Sequence, residues 1–137
     1  MKQKMCTLVG LLGGWISSVV GGWNTAIASL VICMGIDYVT GLIVAGVFHN
    51  SPKTAGGGLE SRVGWKGLAR KGVTLLIVIV AYRMDQILGM NYIRDAVVIG
   101  FCVNEVLSII ENAGLMGLPI PNAIKKAIDM MQETEYE

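Results

Sequence analysis

Asp37, Arg83, Asp85 and Glu105 stand inside otherwise apolar runs of a 137-residue chain. In such surroundings carboxylates and a guanidinium have few chemical uses. They pair with one another, line a path for water and ions, or keep a carboxyl proton. The segment NEVLSIIEN, residues 104–112, adds further polar groups. At 3.6 residues per helical turn, Glu105, Ser108 and Asn112 share one face, and Asn104 and Glu111 share the next. Covalent chemistry has no candidate set: there is no Ser/His/Asp constellation and no phosphate-binding loop. His49 has no neighbouring Cys or His and reads as an interfacial residue at a segment end. Cys6, Cys33 and Cys102 are far apart and form no CxxC pair, so they read as free thiols packed as small hydrophobes. No metal or other cofactor is expected.

The elements that hold these groups are apolar. Hydrophobic residues make up 53% of the chain and charged residues 15%, against about 25% charged in an average soluble domain. Mean hydropathy is +0.60. The composition points to an integral membrane protein. A net charge of +1 gives no reason to expect a nucleic-acid partner.

One all-α membrane domain with about four transmembrane helices fits the pattern. No charge occurs between Met5 and Ile36, a stretch too long for one span of about 20 residues. It divides at Gly21-Gly22-Trp23-Asn24, giving spans at about 5–23 and 25–48. Two more follow at about 72–90 and 95–117, and the LPIP run at 118–121 stops the last. Residues 49–71 read as a basic loop at the lipid surface, with Lys53, Arg62, Lys66, Arg70 and Lys71 against the single acid Glu60. Its second half could lie as a helix with Leu59, Val63 and Leu68 inward, although its glycines weigh against that. Residues 122–137 read as a tail. It has a short amphipathic helix capped by Asn122, an apolar face of Ala123, Ile124, Ala127, Ile128 and Met131, and a frayed acidic end. The Lys and Arg distribution puts the 49–71 loop and both termini in the cytoplasm. Lys2, Lys4 and the Ala26-Ile27-Ala28 triplet mimic a secretory signal, but the next apolar run follows at once, so an uncleaved anchor is expected.

With these spans, Asp37, Arg83 and Glu105 each fall roughly 16–18 Å from a span's cytoplasmic end, near the middle of a core about 30 Å thick. Asp85 lies one step further out. Two readings stay open: an internal ion pair of Arg83 with Asp37 or Glu105, or a water-filled path or oligomer interface. Glu111 and Asn112 can reach the cytoplasmic boundary and be hydrated; Asn104 and Glu105 cannot. The first span carries two rows of small residues, Gly10, Gly14, Ser18, Gly22 and Gly13, Ser17, Gly21. Such rows let helix backbones approach closely in lipid, within one chain or between subunits.

These residues also carry a resemblance. Asp37 with Gly41, the GWKGLARKG run at 64–72, Asp85, and NEVLSIIENAGLMGLPIP at 104–121 are similar in order and spacing to the small phage-lysis and toxin-secretion holins of Gram-positive phages and clostridia. The resemblance covers about residues 30–130 and is most distinctive at Glu111-Asn112 and from Gly117 to Pro121. It implies a non-enzymatic protein of the bacterial (host) cytoplasmic membrane that forms homo-oligomers. At a set time it opens lesions, letting an endolysin, or in some relatives a toxin, leave the cytosol. The lipid bilayer and other copies of the chain are its implied partners, and the cargo needs no specific binding site. Rival readings are an antiholin that restrains a partner holin, a small channel or transporter subunit using Asp37, Arg83 and Glu105, and a structural membrane subunit.

Overall fold

A computed structural model describes residues 1–135, without the side chains of Met131, Gln132, Thr134 and Glu135. The apolar role expected of Met131, and the end of the acidic tail at Tyr136 and Glu137, lie outside the described residues. These residues form five helices and no strand: α1 (Lys2–Val19), α2 (Thr25–Gly46), α3 (Ser61–Leu88), α4 (Ile93–Leu115) and α5 (Asn122–Glu135).

Each helix end has a local cause. α1 stops in a Schellman turn, where Gly22 N–H donates to the Ser17 carbonyl and Gly21 N–H to that of Ser18. Both glycines have positive φ, +85° and +93°, which a side chain would strain. The Asn24 side chain then accepts from Ile27 N–H at 3.0 Å and starts α2. α3 ends at Gly89, which is left-handed (φ +66°). α5 begins differently from the expected asparagine cap: the Pro121 carbonyl accepts from Ile124 and Lys125 N–H, and Asn122 is already helical.

α2, α3 and α4 form the bundle. α2 packs mainly on α4, α3 on α4, and α2 only lightly on α3. The α2–α4 contacts keep one offset: Cys102 reaches Ala26, and Asn112 reaches Asp37. A constant offset means the two helices run parallel, with α3 antiparallel to both. One half of the bundle holds an apolar core of Val20, Ile27, Leu30, Met34, Val78 and Val98. The other half buries polar groups beside Val44 and Ala45.

By length and composition, α2 is the one helix among the described residues that qualifies to cross a membrane, with mean hydropathy 2.1 over its best window. The other three expected spans carry more polar material: glycines and lysines in α1, a basic first part in α3, and the polar stripe in α4. One expectation about the connections changes. The basic loop is shorter than 49–71, because α3 starts at Ser61 and runs unbroken through Gly64, Gly67 and Gly72. Gly64 and Gly67 lie against Tyr38, whose hydroxyl donates to the Gly64 carbonyl at 3.4 Å. These glycines make room for a neighbour and do not end the helix.

Candidate functional site

The bundle's buried polar residues are Asp37, Asp85, Glu105 and Asn112, each no more than 9% exposed. Their neighbours sort them into two centres.

The first joins three helices. Lys71 Nζ lies 2.7 Å from Asp37 Oδ2 and 2.7 Å from Glu105 Oε2. One ammonium thus bridges a carboxylate of α2 and one of α4. Asn112 completes the centre by donating Nδ2 to Asp37 Oδ1 at 3.1 Å, to the Asp37 carbonyl and to Thr40 Oγ1. Ser108 is half-buried on the same face of α4 as Glu105 and Asn112. Lys71 is ten residues after Ser61, Asp37 nine before Gly46, and Glu105 ten before Leu115. All three therefore lie roughly 14–15 Å from helix ends on the same side of the bundle. Among the described residues no buried side-chain nitrogen or oxygen lacks a partner, and no three His, Cys, Asp or Glu gather as a metal site.

The cation in this centre is not the expected one. Arg83 is exposed and donates to Gln86 at 3.0 Å, away from both Asp37 and Glu105. Lys71, placed by the sequence with the surface basic residues, takes its position. The unbroken start of α3 is the reason, since it turns Lys71 inward while Arg62, Lys66 and Arg70 stay exposed. Lys53 remains in the exposed loop. Asn112, expected to be hydrated at the boundary, is buried. Asn104, expected at the midplane to need a partner, a proton or water, is exposed, as is Glu111.

The second centre is a connection. Both Asp85 carboxylate oxygens accept backbone N–H groups at 2.9 Å, from Ile93 and Arg94, so a residue of α3 caps the start of α4. Arg94 then reaches back to α1, donating Nη1 to the carbonyls of Val20, Gly21 and Gly22 at 2.9, 2.6 and 3.2 Å. A cation at a helix carboxyl end also complements the helix dipole.

The small-residue rows of α1 divide. Gly21 and Gly22 serve the turn, and Ser18 Oγ donates to its own helix at Trp15. A Cβ at Gly10, Gly13 or Gly14 would meet nothing outside the helix within 4 Å. Residues 1–16 are exposed throughout, and Ser17 is half-exposed.

The comparisons with known proteins agree on one family. The bacteriophage holin family matches residues 14–133. An uncharacterised protein of Halalkalibacterium halodurans is 37% identical over 98% of this chain and 98% of its own. An uncharacterised protein of Listeria monocytogenes is 35% identical over 87% of this chain and 81% of its own. A probable holin of Bacillus phage phi105 is 36% identical over 71% of this chain and 67% of its own. No solved structure matches. With a family match across most of its length, the chain belongs to the bacteriophage holin family.

Proposed function

We propose that the protein is a holin: it accumulates in the bacterial cytoplasmic membrane, self-associates, and opens lesions through which a cell-wall-degrading endolysin, or a toxin, escapes. The observation that carries this, beyond family membership, is an inside-out distribution of polarity. Charged groups are buried at the junction of three helices, while Leu76, Val80 and Ile87 of α3 and Ile32 and Ile36 of α2 are exposed. In water such a surface would aggregate; in a bilayer it is the expected outer face.

In this reading α1–α4 are four spans with both termini and the 47–60 loop in the cytoplasm. The ion triad holds α2, α3 and α4 as a preformed unit. α1, joined to that unit near its carboxyl end, presents Gly10, Gly13 and Gly14 to another copy. Lateral packing of small-residue faces supplies assembly where lipid provides no hydrophobic drive between helices. Arg62, Lys66 and Arg70 meet anionic headgroups on the cytoplasmic side.

The test is expression in bacteria with and without a cytosolic muralytic enzyme that lacks an export signal. An abrupt collapse of membrane potential is expected in both cultures, with lysis only where the enzyme is present. Undisturbed growth of both would sink the pore-forming reading.

A further inference from the structure

The ion centre of α2, α3 and α4 does not balance in charge. With every group ionised it holds two carboxylates and one ammonium, a net charge of −1. Among the described residues no second cation completes it. Lys53, Arg62, Lys66, Arg70 and Arg83 are exposed, and Arg94 is engaged with the carbonyls that end α1. The other titratable groups near the centre add no cation. Cys33 and Cys102, about one turn before Asp37 and Glu105, are free thiols. Tyr38 donates its hydroxyl to the Gly64 carbonyl, and Glu111 is exposed.

The centre lies roughly 14–15 Å from the helix ends, where a net charge is costly. Two like charges sharing one site also oppose each other's ionisation. One proton makes the centre neutral, and the hydrogen bonds show which oxygen has room for it. Asp37 receives a donor on each oxygen, Lys71 on Oδ2 and Asn112 on Oδ1, which is the arrangement of an ionised carboxylate. Glu105 receives Lys71 on Oε2, which leaves Oε1 to carry a proton. The Asp37 and Glu105 side chains also come within hydrogen-bonding reach of each other. Two carboxylates have no hydrogen to share there; an acid and a carboxylate do.

We propose that the centre is a proton-binding site: a neutral triad in which Glu105 is the acid, Asp37 the carboxylate and Lys71 the ammonium. The proton lets these side chains stay inside an apolar bundle. Its release leaves a net charge that water must accommodate, so proton loss and wetting of the α2/α3/α4 junction go together. The inference rests on the bundle and not on lesion formation, so its failure leaves the holin reading standing.

Infrared spectroscopy of the full-length chain in diether-lipid vesicles, which lack ester carbonyls, reads the proton directly. Outside the centre, the carboxyl groups of the described residues are exposed or already paired as carboxylates. A carboxylic C=O band at neutral pH is therefore expected from the centre. Heavy-carbon labelling of the glutamate side-chain carboxyls should shift it, and the same label in aspartate should not. Glu105→Gln should abolish the band. So should Asp37→Asn, which leaves Glu105 in place but lets it balance Lys71 as a carboxylate; a glutamate protonated by burial alone would keep its band there. A native chain with no band, a band that follows the aspartate label, or a band that survives Asp37→Asn overturns the site. The labelled native chain gives a result even where a variant does not fold. Ser108, whose hydroxyl faces Asp37, reports wetting. In a chain without other cysteines, Ser108→Cys should react severalfold faster with a small thiosulfonate once raised pH removes the band, beyond the rise in the same chain carrying Glu105→Gln. Equal rises in the two chains overturn the link to wetting.

Discussion

A single ammonium between two carboxylates makes Lys71 the most sensitive position in the bundle. Its removal leaves Asp37 and Glu105 buried and close, without the charge that stabilises both. Lys71→Met is expected to cost about 3–5 kcal/mol, the range for breaking a buried ion pair from one side. Glu105→Gln keeps the Lys71–Asp37 pair and should cost less. Arg83→Gln, on an exposed side chain, should stay within about 0.5 kcal/mol. Thermal unfolding in mild detergent gives the ranking, and an Arg83 effect as large as that of Lys71 would refute it. Asp85 acts through backbone: Asp85→Ala should cost about 0.5–2 kcal/mol, as for a lost helix cap, and Asp85→Asn, which keeps one acceptor, less. That Asp37 and Glu105 need a partner was legible in the sequence, because charges in apolar runs are conspicuous. The partner was not. Lys71 sits among Arg62, Lys66 and Arg70, and only the helical phase of α3 separates it from them.

At the scale of elements, the glycines separate by what surrounds them. Gly21 has φ +85°, and an added Cβ would collide with the Tyr82 ring, so Gly21→Ala is expected to destabilise by more than about 1 kcal/mol. Gly13→Leu and Gly14→Leu enter open space and should leave the fold of one subunit unchanged. Their expected effect is on self-association: cross-linking in membranes should show shorter ladders, and lysis should come later. Full-length ladders from both variants would remove the glycine face from the assembly mechanism. The sequence pattern alone gave all seven small residues one role. The turn at Gly21-Gly22 was readable as a break, but its use of Ser17 and Ser18 carbonyls required the Schellman geometry. The loop boundary failed for the opposite reason. Three glycines at 56–58 do break the chain, whereas Gly64 and Gly67 are tolerated in a helix because Tyr38 packs on them.

For the whole molecule, the solvent decides topology. α2 satisfies the length and apolarity of a span by itself, but α3 and α4 carry charges that their own composition does not excuse. Those charges become tolerable because the helices arrive together: Lys71 satisfies Asp37 and Glu105 across three elements, and Asp85 is consumed by the α3–α4 turn. If α2 crosses, its tight contacts with α4 and the short 89–92 connection bring α3 and α4 across with it, since neither can stay in water while paired to a buried partner. In the proposed topology, residues 47–60 and both termini would lie on one side and the Asn24 and Asn91 turns on the other. Single cysteines in a cysteine-free chain, probed in intact cells before lysis with a membrane-impermeant maleimide, check this directly. Asn91→Cys should react from outside, whereas Lys53→Cys and Lys2→Cys should react only after permeabilisation. External labelling of Lys53→Cys would mean that α2 and α3 do not cross as a hairpin. The buried triad would then have to be a feature of a bundle lying at the surface.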